Sequence, residues 1–257
     1  MNKLAFFKKE MMEIFKTYKI IVLPAIFLFF GLLSPLTAKY LPEIMKKFGN
    51  TADSAVTITF NGEPKYGDAY AQLFGNLGQM GLIVVILIFM SIVVNEKVKG
   101  SATLVLTKTV SRSQFILSKF FSSAILFTLS YLLSVGACIY YTYLLFNRFY
   151  NDNLILGLFL MWLFMIVIIA MTILASTLAK NVTISAVLGF LGFVGFSAIS
   201  SLPVIKEYSP ASMTVLGLSL INGKADTMDA AAPIIISFIM IIGFLISSIY
   251  IFKKQEI

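Results

Sequence analysis

The sequence predicts an all-α membrane protein with an N-terminal interfacial amphipathic helix and six transmembrane helices. Of its 257 residues, 59% are hydrophobic and only 12% are charged, whereas about a quarter of the residues in a typical soluble domain are charged. The hydrophobic residues also gather in stretches of about 20, the length of a helix that crosses a bilayer. Lipid is therefore expected to surround most of this chain.

Residues 1–19 are too polar to span a membrane, but they have the pattern of an amphipathic helix. Lysines and glutamates fall largely on one side, and the other side carries apolar residues at helical spacing: Leu4, Phe7, Met11, Ile14, Phe15 and Tyr18. A helix of this kind lies in the membrane interface. We call it the elbow helix.

Six apolar stretches predict the transmembrane helices, which we call spans one to six: 20–38, 75–94, 120–146, 154–179, 182–201 and 233–252. The region 154–201 is nearly continuous. As one helix it would be about 70 Å long, against a hydrocarbon core of about 30 Å. It must therefore turn back, and the polar break Ala179-Lys180-Asn181 predicts where.

The lysine and arginine distribution predicts the orientation. On the side of the two termini lie 13 basic and 4 acidic residues, a net charge of +9, and on the other side 7 basic and 8 acidic residues, a net charge of −1. Positive residues collect on the cytoplasmic side, so both termini are predicted to be cytoplasmic. Contact with anionic lipid accounts for the basic balance, and no nucleic-acid partner is expected.

The loop 95–119 is the longest on the cytoplasmic side and is predicted to be structured. Gly100 permits a bend after the charged exit Glu96-Lys97, and Ser111 with Gln114 has the spacing of a capping box that begins a helix. Exposure of the apolar run 103–106 to water would be unfavourable, so this run is expected to contact the membrane surface or another protein.

The two outer loops also contain structure signals. Loop 39–74 holds an alternating run followed by Asn61-Gly62, which is typical of a short hairpin. Loop 202–232 holds Ser209-Pro210 and, further on, Asn222-Gly223, which mark the start and stop of a helix of about 10 to 12 residues. That helix is too short to cross the membrane.

Small residues recur three and four apart in two spans, a spacing that lets helix backbones approach closely. We expect these positions to pack helices closely and the second and fifth spans to form a movable interface: Gly75, Gly78 and Gly81 in the second span, and Ser185, Gly189, Gly192 and Gly195 in the fifth.

Several kinds of chemistry are excluded by composition. The chain has no histidine and one cysteine, which removes the usual general base, the commonest metal ligand and any internal disulfide. Its only Gly-Lys pair, Gly223-Lys224, lacks the Walker A pattern for binding ATP. No charged residue lies within the six stretches, so an ion-coupled carrier, which usually holds a carboxylate at depth, is disfavoured.

The loop resembles that of the permease subunits of ABC-2 type exporters, including the bacitracin-resistance and copper-maturation permeases. The matching residues are Glu96, Gly100, Ser101, Leu104, Leu106, Lys108, Val110, Ser111, Arg112, Phe115 and Lys119. Thr109 stands where proline is common in these relatives. The resemblance implies one half of a type V ABC exporter, in which the segment 95–119 is a coupling loop.

This resemblance implies partners and site residues. The chain would not be an enzyme or hold a cofactor, because two copies of an ABC ATPase subunit would bind ATP and Mg. A second permease copy or a close paralogue would complete a dimer, surrounded by lipid in a bacterial plasma membrane. The residues assigned to ATPase coupling are Glu96, Lys99, Gly100, Leu104, Leu106, Lys108, Ser111 and Arg112. The small residues of the second and fifth spans are assigned to packing of the dimer or of the transport pathway.

The function predicted from these features is export of an amphipathic or hydrophobic cargo, such as a peptide, a lipid-linked molecule or a drug. One alternative is the substrate-capture subunit of an importer, or another six-span binding protein, which would not need a long structured loop. An intramembrane protease is a second alternative, and the absence of histidine and of paired acids in the spans opposes it.

Overall fold

The computed structural model describes residues 3–49, 64–100, 111–148, 152–202, 205 and 208–255, with the side chains of 3–5 and 45–49 excepted. Every regular element among these residues is helical, and six helices are long and apolar enough to cross a membrane. The predicted fold class is thereby confirmed. The hairpin predicted near Asn61 lies outside the described residues.

The elbow helix covers Lys3–Lys16, and the six spans follow it in order. Their bounds are Lys19–Gly49, Tyr66–Val98, Arg112–Phe146, Leu154–Leu178, Val182–Ser200 and Ala231–Lys254. Three of the helices extend well past the apolar stretches. The reason is that hydropathy marks only the part of a helix that lipid covers, whereas capping and packing decide where the helix begins and ends.

The predicted turns form as expected. The fourth and fifth spans are joined by residues 179–181, where the Asn181 side chain accepts a hydrogen bond from the Ile184 amide at 2.8 Å. A short outer helix, Pro210–Ile221, begins at the Ser209 cap, which accepts from the Ala211 amide. Gly223 follows it with φ of +68°, a conformation that favours glycine.

The fourth span is the centre of the molecule. Most of its residues are buried, whereas few residues of the fifth and sixth spans are. It packs against the sixth span, the fifth span and the outer helix. The last contact is close, because a Cβ added to Gly157 would lie 2.7 Å from the Gly217 carbonyl oxygen. Glycine is therefore required on both sides of this contact.

The second span is irregular at two places. A π-helical turn covers Leu77–Gly81, and the helix is interrupted between Phe89 and Val94. At the interruption the Val93 and Val94 amides both donate to the Ser176 hydroxyl oxygen at 3.1 Å. The Met90 carbonyl accepts from the Ser176 and Ser185 hydroxyls at 2.7 and 2.6 Å. Serines of two neighbouring spans thus replace the missing helical bonds.

Ser176→Ala is expected to destabilise the protein by about 1 to 3 kcal/mol, because it leaves two buried backbone amides without an acceptor. Thr177→Ala is the matched control. Thr177 is equally buried, but its hydroxyl bonds only to the Ile173 carbonyl one turn earlier in its own helix. Thermal unfolding in detergent should separate the two variants, and equal melting temperatures would contradict this account of the interruption.

Candidate functional site

The structure describes the two ends of residues 95–119, the predicted coupling loop. Glu96, Lys99 and Gly100 lie at its start, and Ser111 and Arg112 lie at its end. Three further predicted coupling residues fall in 101–110, outside the described residues: Leu104, Leu106 and Lys108. The site can therefore be built from the anchorage of the loop, and the docking surface itself stays a prediction.

The start of the loop leaves the membrane through a short helical piece and then bends. Residues Val94–Val98 form this piece, and Gly100 follows with φ of +69°. That value lies in the left-handed region, where a residue with a Cβ is strained. The predicted bend at Gly100 is confirmed.

The end of the loop is fixed by the predicted capping box. The Ser111 hydroxyl oxygen accepts from the Gln114 amide, and the Gln114 side-chain oxygen accepts from the Ser111 amide, both at 3.2 Å. These bonds satisfy two backbone donors that a helix terminus leaves open. The third span consequently begins at Arg112 and extends into the loop.

Lys119 lies about two helical turns after Arg112 in the third span and is buried between two carboxylates. Its Nζ donates to Glu10 Oε2 of the elbow helix at 3.0 Å and also to Glu96 Oε1. All three side chains are at least nine-tenths buried. We call Glu10, Glu96 and Lys119 the anchor cluster, because it joins the elbow helix, the loop start and the third span.

The surroundings of the anchor cluster are apolar and aromatic. The Phe115 ring stacks between Phe6 and Phe252, at centroid distances of 6.1 and 5.0 Å, and Lys119 Nζ lies 4.8 Å from the same ring centroid. Burial raises the pKa of the Glu10 carboxyl, and the Lys119 ammonium partly opposes that rise. Lys119 is thus the charge that permits two carboxylates to be buried here.

Two further cations bind the carboxyl ends of neighbouring spans. Lys97 Nζ donates to the Thr177 and Ala179 carbonyls at the end of the fourth span, at 2.7 and 3.1 Å. Arg112 Nη1 donates to the Phe252, Lys253 and Gln255 carbonyls at the end of the sixth span, at 2.9, 2.6 and 3.0 Å. A cation at a helix carboxyl end satisfies free carbonyls and complements the helix dipole.

A metal ion is not needed to explain the carboxylates. Oxygens of Glu10, Glu13 and Glu96 lie within 4.8 Å of one another, which alone would suit a hard cation. However, Lys119 already bonds to two of them, and Lys9 Nζ lies 3.3 Å from Glu13 Oε2. Each of the three carboxylates therefore already has a lysine as its partner.

The anchor cluster was missed by sequence reasoning for a specific reason. The elbow helix packs on the protein through Phe6, Glu10 and Ile14, whereas the predicted apolar face includes Phe15 and Tyr18, which are exposed. An interfacial helix contacts both protein and lipid, so its apolar pattern does not distinguish the two directions. The available signal was that Glu10 lies one helical turn from each of Phe6 and Ile14.

The predicted small-residue positions divide into two groups. One group faces neighbouring spans. Gly81 lies beside Phe27, Gly189 beside Ile86 and Gly192 beside Met171, and the Ser185 hydroxyl donates to the Met90 carbonyl. Open to the surface are Gly75, Gly78 and Gly195, where an added Cβ would meet nothing within 4 Å. The fifth span thus contacts the second through Ser185 and Gly189.

Comparison with known proteins decides the family. The family model described as "ABC-2 family transporter protein" matches residues 4–257. The chain belongs to the ABC-2 transporter family. It is also 28% identical, over 98% of both chains, to the uncharacterized transmembrane protein YxlG of Bacillus subtilis (strain 168).

Membership of the ABC-2 family makes this chain a multi-pass permease component of a membrane transporter. Permeases of the ABC-2 family generally work with an ABC ATPase. The match begins at residue 4, so it includes the elbow helix together with the six spans. All three members of the anchor cluster therefore belong to the part of the chain that is common to the ABC-2 family model.

Proposed function

We propose that this ABC-2 permease is the membrane subunit of an ATP-driven exporter and that two ATPase subunits dock on residues 95–119. The observation that supports it is the anchorage of the loop. Its start bonds to the fourth span through Lys97, and its end bonds to the sixth span through Arg112. Lys119, at the end of the loop, bonds to Glu96 at its start and to Glu10 of the elbow helix. Force applied to the loop would reach all of these helices.

Energy for transport comes, in this proposal, from ATP and Mg bound by the partner ATPase. The permease works as a dimer with a second copy or a close paralogue. Support for a dimer comes from the fifth span, few of whose residues are buried within one chain. Its Gly195 and the second-span residues Gly75 and Gly78 leave open surface that another helix could approach closely.

The proposed cargo is amphipathic or hydrophobic, as a membrane-active peptide, a lipid-linked molecule or a drug would be. The stretches 120–146, 154–178, 182–200 and 233–252 contain no charged residue. Their polar groups are hydroxyls, the Cys138 thiol and one indole. That indole belongs to Trp162, whose Nε1 donates to Thr128 Oγ1 at 3.0 Å. A pathway formed between such helices would favour apolar surface and uncharged polar groups over ions.

The proposed arrangement places the loop and both termini in the cytoplasm of a bacterial cell, and cysteine labelling tests this. Single cysteines replace Lys108, Lys65 or Lys224 in a Cys138→Ala background. Because Lys65 and Lys224 are exposed and predicted to be outside, an impermeant maleimide should label positions 65 and 224 in intact cells. Position 108 should react only after lysis. Labelling of position 108 in intact cells would overturn the orientation and ATPase docking on this loop.

A further inference from the structure

Two adjoining cavities lie between the elbow helix and the spans beside it. The first, the elbow groove, has a volume of about 520 Å³ and is lined by apolar side chains of the elbow helix and of spans one and three, among them Phe15, Pro24, Ile125 and Leu129. The second, the charged pocket, has a volume of about 310 Å³ and is lined by Glu13, Lys19, Ser91, Asn95 and Lys99 together with the anchor cluster. Ile14 lines both cavities.

We infer that the two cavities together bind one anionic phospholipid, with an acyl chain in the elbow groove and the phosphate in the charged pocket. The groove extends from the elbow helix along the third span. From Ile125 to Leu133 it covers about 12 Å at the rise of an α-helix. Ile125 and Leu133 belong to the predicted membrane-spanning part of the third span, so this apolar groove would face lipid hydrocarbon. An acyl chain is the apolar molecule that a membrane supplies.

The charges of the pocket select the headgroup. Three carboxylates, Glu10, Glu13 and Glu96, and three lysines, Lys19, Lys99 and Lys119, line the pocket. Because Lys9 also lies beside Glu13, four positive charges face three negative ones. Among the described residues, no ion pair involves Lys19 or Lys99, and Lys19 Nζ bonds only to the Ser91 hydroxyl oxygen, at 3.3 Å. Two ammonium groups in a pocket beside an acyl-chain groove match a lipid phosphate.

The position of the pocket agrees with this assignment. The pocket lies on the same side of the membrane as the elbow helix. That side carries the basic excess of the sequence and is predicted to be cytoplasmic. Anionic lipids of the cytoplasmic leaflet attract basic residues near the surface, each by about 1 kcal/mol. The bound lipid would fill the space between the elbow helix and the third span, next to the anchor cluster.

The test is lipid titration of the purified, delipidated full-length protein, read by native mass spectrometry. Dioleoylphosphatidylglycerol is the anionic probe and dioleoylphosphatidylcholine the zwitterionic one. Wild type is expected to bind one phosphatidylglycerol at least about tenfold more tightly than phosphatidylcholine, which corresponds to about 1.4 kcal/mol. Equal affinity for the two lipids would overturn the headgroup assignment.

Variants separate the two halves of the site. Lys19→Met with Lys99→Met should remove the preference for phosphatidylglycerol, whereas Lys8→Met with Lys16→Met, at exposed positions of the elbow helix, should keep it. Leu129→Trp fills the groove and should weaken both lipids alike. Leu144→Trp, at a similarly exposed position far along the same helix, should not.

Two outcomes contradict the proposal. If the Lys19/Lys99 variant keeps its preference while eluting and melting like wild type, the pocket does not bind the phosphate. If glycerol phosphate, which has no acyl chain, displaces the lipid as well as intact phosphatidylglycerol does, the groove contributes nothing. The site would then be one for a free phosphate and would not be a lipid site.

Discussion

Lys119→Met is expected to destabilise the protein by about 3 to 5 kcal/mol, because it leaves two buried carboxylates without their cation. Lys119 Nζ bonds to Glu10 and Glu96, and the three residues come from separate helices. Loss of this cation should therefore release the elbow helix as well as lower stability. Melting temperature in detergent measures the first effect, and protease sensitivity of the chain before Lys19 measures the second.

Two control variants make this result specific. Lys16→Met removes an exposed lysine of the elbow helix and should leave the melting temperature almost unchanged. Combining Lys119→Met with Glu10→Gln and Glu96→Gln removes the whole ion-pair group and should recover most of the lost stability, because no charge remains buried. A single Lys119→Met variant as stable as wild type would show that the anchor cluster contributes nothing to the fold.

Leu104→Asp is expected to abolish copurification of the partner ATPase. The apolar run around Leu104 is the predicted docking surface, and an aspartate buried there without a partner should weaken binding by several kcal/mol. The measurement is the amount of ATPase that copurifies with the tagged permease. Leu202→Asp, which introduces the same charge beyond the fifth span at an exposed position, is the matched control and should copurify normally.

The same preparation distinguishes docking from coupling. Arg112→Ala removes the bonds between the loop end and the carbonyls of the sixth span, but it does not alter the apolar run. The ATPase should therefore still copurify, while transport-coupled ATP hydrolysis in lipid nanodiscs falls. If both variants bind and stimulate the ATPase like wild type, the loop is only a basic tether and does not transmit movement.

Much of the fold follows from the sequence because each predicted feature depends on neighbours in the chain. The six spans follow from runs of apolar residues. The Ser111–Gln114 capping box, the turn at Asn181 and the outer helix that starts after Ser209 each require residues only a few positions apart. Local signals of this kind do not depend on how the helices pack.

The interruption of the second span could not be predicted from residues that are neighbours in the chain. Nothing in the run from Leu82 to Val94 breaks a helix by propensity, since it contains neither proline nor glycine. The helix is interrupted there because Ser176 and Ser185, far along the chain, offer hydrogen bonds to the freed backbone groups. Only the arrangement of three spans makes that exchange favourable.

By itself, the sequence determined the membrane class, the number of spans and the position of the long loop 95–119, because hydropathy, charge and capping act over short stretches of chain. Only the tertiary structure decided that Glu10, Glu96 and Lys119 meet and that Lys97 and Arg112 bind the ends of distant helices. The identity of a lysine in the sequence does not show whether its side chain is buried or exposed. Burial depends on which helices surround the side chain, and that is a property of the whole fold.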